Sequence, residues 1–316
     1  MIFGKKILGA AAAAAVASFG FAGVANADVC DTPSKLGELG KFEGEVITIA
    51  GSMQGKDEEN LMATASCFEK ATGAVIKYSG SRDFAALIVA DLRSNNAPNI
   101  AIFPQPGLAG DMAKEGHLTP LGGDLADWMT NNYGAGSSWV ALGTYADPAG
   151  KEHFYGFPFK KDLKSLVWYL PEQFEDNGYD IPQSMEELIA LSDQMVADGN
   201  TPWCIGVESG NATGWTATDW MEDLMLRTAS PEKYDQWVSN ELPFNSPEVL
   251  NAMKVYGQFS RNDDYVAGGS AAVATTFFGD APKGLFSSPP KCMMHRQASF
   301  IPAFFPEKGK EVEDGI

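Results

Sequence analysis

From residue 44 onward, apolar residues fall into short blocks whose spacing alternates between two periods. GEVITIA, from Gly44 to Ala50, alternates with a period of two and stops at Gly51, as a half-buried strand does. From about Asp57 to Thr72 the spacing becomes helical, with the acidic run DEEN at the end where a helix is positively polarised. AVIKYSG predicts a second strand, DFAALIVADLRS a second helix, NIAIFPQPG a third strand and AGDMAKEGHL a third helix. Strand and helix alternating at this spacing predict βαβ units and a parallel sheet. Such sheets bind ligands beyond the carboxyl ends of their strands, which singles out the loops GSMQGK, SGSRDF and FPQPG.

The rhythm weakens between Trp128 and Lys151, where several glycines and Pro148 predict irregular chain. EHFYGFPFKKDLKSLVWYL, from Glu152 to Leu170, is β-rich but too long for one ordinary strand. It reads as two strands with a bend near Pro158, as expected of a chain passing between domains. SMEELIALSDQMVADG predicts an amphipathic helix with Ser184 as N-cap and Glu187 at the capping-box position. TPWCIGV predicts a strand, and DWMEDLMLRTA and SPEVLNAMKVYGQFSRN predict helices, the second capped by Ser246 with Glu248 in its first turn. The sequence ends in FPEKGKEVEDGI, with no closing helix or strand predicted.

The N-terminus changes the picture of where the chain works. Lys5 and Lys6 precede an alanine-rich apolar run from Ile7 to Val24, which ends in Ala25-Asn26-Ala27. That layout predicts a cleaved signal peptide over residues 1–27 and an exported product. What remains is long enough for two domains, expected over residues 28–158 and 159–316. Acidic side chains outnumber basic ones 41 to 23, for a formal net charge of −18, which disfavours nucleic acid and anionic membranes as partners. His117, His153 and His295 stand far apart, and no HxxxH or CxxC spacing exists, so no zinc site and no other metal is predicted. Cys30, Cys67, Cys204 and Cys292 suit an oxidising compartment and allow three pairings. If the chain folds as two lobes, the simplest pairing joins Cys30 with Cys67 and Cys204 with Cys292; free buried cysteines are the alternative.

Several motifs tempt a chemical reading. GSMQGK is not a phosphate loop, since only three residues separate Gly51 from Gly55 and Asp57 follows Lys56. In SGSRDF, Ser81 or Asp83 can cap the following helix, while Phe84 suits the core. Arg82 as donor and Asp83 as acceptor could also hold vicinal hydroxyls. Glycoside hydrolysis needs two carboxyls flanking a sugar, but Glu208 and Asp219 lie on one neighbouring stretch rather than on separate strand ends. No GxSxG elbow supports a serine nucleophile, and the sequon at Asn211 is short enough to arise by chance. ESGNATGWTATDW, from Glu208 to Trp220, therefore reads as a recognition loop. An indole offers a flat apolar face to a pyranose, and Asn211, Thr213 and Thr218 can meet hydroxyls around it. Trp215, between Gly214 and Thr216, is the stacking candidate; Trp220 starts a helical pattern with Leu224 and is assigned to the core.

On SGSRDF, YGFPFKKDLKSLVWY, WCIGVESGNATGWTATDW and FFGDAPKGLFSSPPKCMMHRQASF, the sequence resembles the substrate-binding proteins of sugar ABC importers. Within the maltose-binding-protein-like group it is most similar to the alpha-glucoside-binding branch. The resemblance implies a type II, two-lobed α/β fold with a carbohydrate in the interlobe cleft and closure by hinge bending. It implies a periplasmic, non-enzymatic monomer without cofactor, delivering an oligosaccharide such as trehalose, sucrose or maltose to the permease subunits of an ABC transporter. Other ligands of the same class, a glycerol phosphodiester or a polyol, stay open, as does an exported glycoside hydrolase. Carried over by position, the resemblance implies Arg82, Asp83 and Gln105 on the first lobe, with Tyr155 and Lys160 at the hinge. It implies Glu208, Asn211, Thr213, Trp215 and Asp219 on the second lobe, with Arg296 and Gln297 of HRQAS on a further cleft wall. Members of the group run further and cross back to the first lobe, so the sheet there is expected to lack a strand or two.

Overall fold

The computed structural model describes Cys30 and residues 35–306, so the predicted signal peptide and the residues after Pro306 lie outside the described residues. The first half opens with β1 (Val46–Gly51), α1 (Lys56–Thr72), β2 (Val75–Gly80), α2 (Phe84–Arg93), β3 (Ile100–Ile102) and α3 (Pro106–Lys114). The three strands form a parallel sheet in the order β2-β1-β3, with Val46 opposite Val75 and Ile49 opposite Ile100. This is the βαβ arrangement that the alternating periods predict.

Local chemistry explains the boundaries. Asp57, Glu58 and Glu59 occupy the first turn of α1, where the helix dipole favours negative charge. The helix ends on Gly73, whose left-handed φ of 79° lets its N–H reach the Glu69 carbonyl. Phe84, Ile88 and Leu92 repeat every fourth residue along α2 and are buried together with Met112 of α3.

Two helices, α4 (Gly123–Asn132) and α5 (Gly136–Leu142), fill the region expected to be irregular, followed by the hairpin strands β4 (Thr144–Ala146) and β5 (Glu152–Phe154). The glycines there allow close packing rather than disrupt it. A Cβ on Gly136 would meet the Met129 and Thr130 carbonyl oxygens at 2.5 Å.

The second half comprises β6 (Leu166–Tyr169), α6 (Pro171–Asn177), α7 (Met185–Ala197), α8 (Trp215–Thr228), α9 (Pro231–Val238), α10 (Pro247–Ser260) and β7 (Met294–Gln297). β6 and β7 pair antiparallel, with Leu166 opposite Gln297 and Val167 opposite Arg296. Two strands are thus present where Glu152–Leu170 predicts them, with an irregular passage over residues 155–165 between them. The largest core lies here, with Trp203, Leu224, Met225, Val249 and Phe259 fully buried.

Ser184 caps α7 by accepting the Glu187 N–H at 3.1 Å, and the Glu187 carboxylate accepts the Gln183 N–H at 2.6 Å, one residue earlier than the standard box. Ser246 stands at the N-cap of α10, but its hydroxyl is buried without a hydrogen-bond partner, so the expected side-chain cap is not made. TPWCIGV is not a continuous strand. Trp203 makes parallel bridges to Val266 and Met294, and the next bridge falls at Glu208 with Phe277. Because its partners come from separate stretches, the segment is extended without building one ladder.

Two disulfides join Cys30 to Cys67 and Cys204 to Cys292, with Cα atoms 5.1 and 5.5 Å apart. The second is buried against Leu285. Beside it, His295 Nδ1–H donates to the Cys204 carbonyl at 2.8 Å, while Nε2 is buried without a partner. Burial pushes this imidazole down to about 4.

A histidine whose pKa is lower in the folded than in the unfolded chain stabilises the fold above its ordinary value, 6.5. That stability is lost as pH falls towards 4, because the unfolded chain takes up the proton first. Denaturant titration at pH 7 and pH 4.5 should show wild type losing about 2 kcal/mol more than His295→Gln. Equal losses would show that the buried imidazole does not govern acid stability.

Candidate functional site

Of the loops at the carboxyl ends of the parallel strands, the one after β2 reaches the second half. Ser81 Oγ accepts the Asp83 N–H at 3.1 Å, and the Asp83 carboxylate, though at the N-cap of α2, makes no cap bond. It reaches across instead. Asp83 Oδ1 accepts from Asn211 Nδ2 at 2.9 Å and from the Asn211 backbone N–H at 3.4 Å. The adjacent Arg82 places its guanidinium 4.9 Å from the centre of the Phe277 ring.

Opposite them, the loop from Glu208 to Gly214 is held by its own polar groups. Glu208 Oε1 accepts the Gly210 N–H at 2.7 Å, and Thr213 Oγ1 accepts the Ser209 N–H at 3.0 Å while donating to the Gly210 carbonyl at 2.7 Å. Gly214 N–H donates to the Val207 carbonyl at 2.8 Å and closes the loop. Glu208 N–H donates to the Thr276 carbonyl at 3.0 Å, and Phe278 N–H to the Glu208 carbonyl at 3.1 Å, which fastens this loop to the next one. Glu208 and Thr213 thus shape the loop, and Asn211 is the side chain it presents.

An aromatic wall rises beside it. Trp215, half-buried at the start of α8, meets Phe278 edge-on at 5.0 Å and Phe300 at a tilt at 5.9 Å. Lys164 Nζ sits 5.3 Å above the Trp215 ring and donates to Asp219 at 2.8 Å. Lys160 pairs with Asp57 at 3.1 Å and Asp162 at 3.6 Å, and lies 6.0 Å from the Phe300 ring. Glu222, half-buried, is held above the usual carboxylate range by burial first and by Asp219 second. Trp220 is core: it is 4% exposed and packs on Trp203, Tyr256 and Phe259.

The predicted residues are therefore brought together unequally. Asp83 and Asn211 meet directly between the halves, Arg82 lies over Phe277, Lys160 reaches Asp57, and Trp215 and Asp219 share Lys164. Gln105 stands exposed at the N-cap of α3, and Tyr155 stacks within the first half on Tyr145 at 6.4 Å.

Arg296 and Gln297 do not form an open wall. Both are buried in β7, and Gln297 Oε1 accepts the Ala298 N–H at 2.9 Å. The Arg296 guanidinium lies 4.3 Å from the Trp220 ring centre and pairs with Asp223 at 3.0 Å. It also donates to Ser165 Oγ at 2.8 Å, beside a cavity of about 240 Å³ that includes Tyr169, Ile181 and Met185. Burial lowers its pKa, and Asp223 opposes that shift.

Sequence reasoning missed the half-buried Phe277 and Phe300 around the core residue Phe278, and Lys164 and Asp57 as their charged edge. The aromatics lay inside the FFGD and ASF stretches, but nothing in their spacing set them apart from core residues. The assembly offers flat apolar faces, carboxylate acceptors and cationic donors. Glu208 and Asp219, the two carboxylates weighed as an acid–base pair, are each engaged elsewhere, by the Gly210 N–H and by Lys164.

A family model described as bacterial extracellular solute-binding protein matches residues 50–290. The alpha-glucosides-binding periplasmic protein AglE of Rhizobium meliloti (strain 1021) is 54% identical over 271 residues, which cover 86% of this chain and 59% of that protein. The osmoprotective compounds-binding protein GgtB of Synechocystis sp. (strain ATCC 27184 / PCC 6803 / Kazusa) is 43% identical over 271 residues, 85% of this chain and 63% of that protein. The chain thus spans about three fifths of the length of these relatives. Among solved structures, a chitin oligosaccharide binding protein superposes with a TM-score of 0.64 at 18% identity, covering 85% of this chain and 65% of that one. An ABC transporter solute-binding protein from Agrobacterium radiobacter K84 in complex with ribitol gives 0.56 at 18% identity, covering 85% and 64%. Likeness at this level establishes the two-lobed α/β fold.

The Asp223–Arg296 pair should be a stability element. Asp223→Asn leaves a buried guanidinium uncompensated and should cost about 3–5 kcal/mol in chemical denaturation. Replacing both partners, Asp223→Leu with Arg296→Met, should recover most of that loss; a double variant as unstable as the single one would contradict this account.

Proposed function

This chain belongs to the bacterial extracellular solute-binding protein family, and on that premise we propose that it captures an alpha-glucoside in the periplasm and delivers it to an ABC importer. Residues 1–27 direct export, and lobes over residues 28–158 and 159–316 close on the sugar between them. The protein acts as a monomer, without catalysis and without a cofactor, and hands its ligand to membrane permease subunits. The relative at 54% identity whose name is alpha-glucosides-binding supports the ligand class.

The observation that carries the reading is the pairing of unlike surfaces across the gap. One side is the edge formed by the half-buried Trp215 and Phe300, backed by the buried Phe278, and the other offers the Arg82 guanidinium. A pyranose has the same two characters, apolar C–H faces and a rim of hydroxyls. Gln105, Tyr155 and Lys160 extend the polar rim on the first lobe and the crossover, and Asp219 extends it on the second, while Asp83 and Asn211 face each other across it and Glu208 and Thr213 hold the loop behind them. A second reading, a polyol or other uncharged osmoprotectant, draws support from the relative named for osmoprotective compounds.

Isothermal titration with trehalose, sucrose, maltose and ribitol tests both readings. Binding of one disaccharide, accompanied by a thermal shift, is the expected result. Binding of ribitol alone would favour the second reading, and no response to any of them would defeat both. Trp215→Ala should weaken sugar binding by on the order of 1–3 kcal/mol and cost less than that in folding stability. Unchanged affinity with a large stability loss would make Trp215 a core residue.

A further inference from the structure

Besides the Lys160–Asp57 pair at 3.1 Å near the crossover, two contacts across the gap come from consecutive residues. Asp83 accepts two hydrogen bonds from Asn211, and Arg82 lies over Phe277. Their targets belong to different loops, but the backbone bonds of Glu208 with Thr276 and Phe278 tie those loops into one unit. One dipeptide of the first lobe therefore grips one rigid unit of the second at two points.

The surroundings leave these groups free for this role. Asp83 stands at the N-cap of α2 but makes no side-chain cap bond, and Ser81 Oγ accepts its backbone N–H, so the Asp83 carboxylate is not engaged by its own helix. Glu208 and Thr213 satisfy the opposing loop internally, so Asn211 is not required to hold it. Gly210 has a left-handed φ of 57° and brings the loop so close that a Cβ there would lie 3.1 Å from Asp83 Oδ1. Asp83 and Asn211 are both exposed, which makes their contact dispensable for folding of either lobe.

We propose that Arg82-Asp83 is a clasp that closes the lobes without ligand, and that its bond to Asn211 sets the balance between open and closed forms. A ligand that binds the closed form gains apparent affinity in proportion to how much of that form already exists. Breaking the clasp lowers that fraction and weakens every ligand by one common factor. A direct sugar contact behaves differently, since its loss discriminates among sugars and leaves the empty protein unchanged.

The clasp itself is read without sugar. Labels attached by non-cysteine chemistry at Lys114 and Lys254, exposed on the two lobes, report the interlobe distance in the empty protein. Asn211→Ala and Asp83→Ala should each shift the distribution towards longer distances, with melting curves close to wild type. Asn211→Asp, which sets like charges face to face, should shift it further. Unchanged distances in all three variants would overturn the proposal.

The affinity arm rests on the sugar-binding reading. Asn211→Ala and Asp83→Ala should weaken trehalose, sucrose and maltose by the same three- to tenfold factor, and the double variant should be no weaker than either single one. Losses that differ between sugars while the distances stay fixed would make these residues ligand contacts instead. If no sugar binds wild type, the functional reading fails, while the distance measurement still decides the clasp.

Discussion

The burial of Trp203 is the constraint on which the second lobe and its half of the site depend. Its ring is fully buried between Trp220 and Phe259, with ring centres 5.8 and 5.4 Å away, and its indole N–H donates to Ser192 Oγ at 3.0 Å. Its backbone N–H donates to the Tyr265 carbonyl, and its carbonyl accepts from Ala267. One side chain and one peptide thus fix α7, α8, α10 and the residue 265–267 turn at a single point. The extended chain leaving that point passes through Cys204 and Val207 to Glu208, and the loop ending at Gly214 follows directly. A large aromatic side chain so enclosed is worth several kcal/mol to a fold, and here the same burial aims the loop.

Polar residues near the gap divide into builders and presenters. Glu208, Thr213 and Ser81 spend their hydrogen bonds on their own loops. Asp83, Asn211 and Arg82 are left to face outward. Side-chain type does not distinguish the two groups, since Glu208 and Asp83 are both carboxylates at a loop. What distinguishes them is which backbone N–H groups the loop geometry leaves unpaired nearby.

The same logic explains how much was legible in the sequence. The parallel βαβ units were readable because strand and helix periods are local, and Trp220 with Leu224 declared its buried face at one helical turn. Ser184 and Glu187 announced a cap for the same reason. The helices over residues 123–142 were hidden by glycines, of which Gly136 serves tight helix contact. TPWCIGV has the composition of a strand, but the bridge partners of its Trp203, Val266 and Met294, come from distant stretches that share no ladder. Arg296 is assigned to a cleft wall by resemblance alone, and only the three-dimensional fold supplies Asp223 and the Trp220 ring that allow its burial. The aromatic wall draws on residues 215, 277–278 and 300, so no window of the sequence contains it.

The disulfide between Cys204 and Cys292 also has a mechanical consequence. It closes a covalent loop over a sequence separation of 88 residues, and the whole recognition loop, α8, α9 and α10 lie inside it. Tension applied to the two ends of the chain passes through the sulfur bridge and bypasses everything between. The extensible contour is shorter by roughly 300 Å. Pulling can separate the lobes and unravel the first sheet, yet it transmits no force along the backbone that carries Asn211 and Trp215.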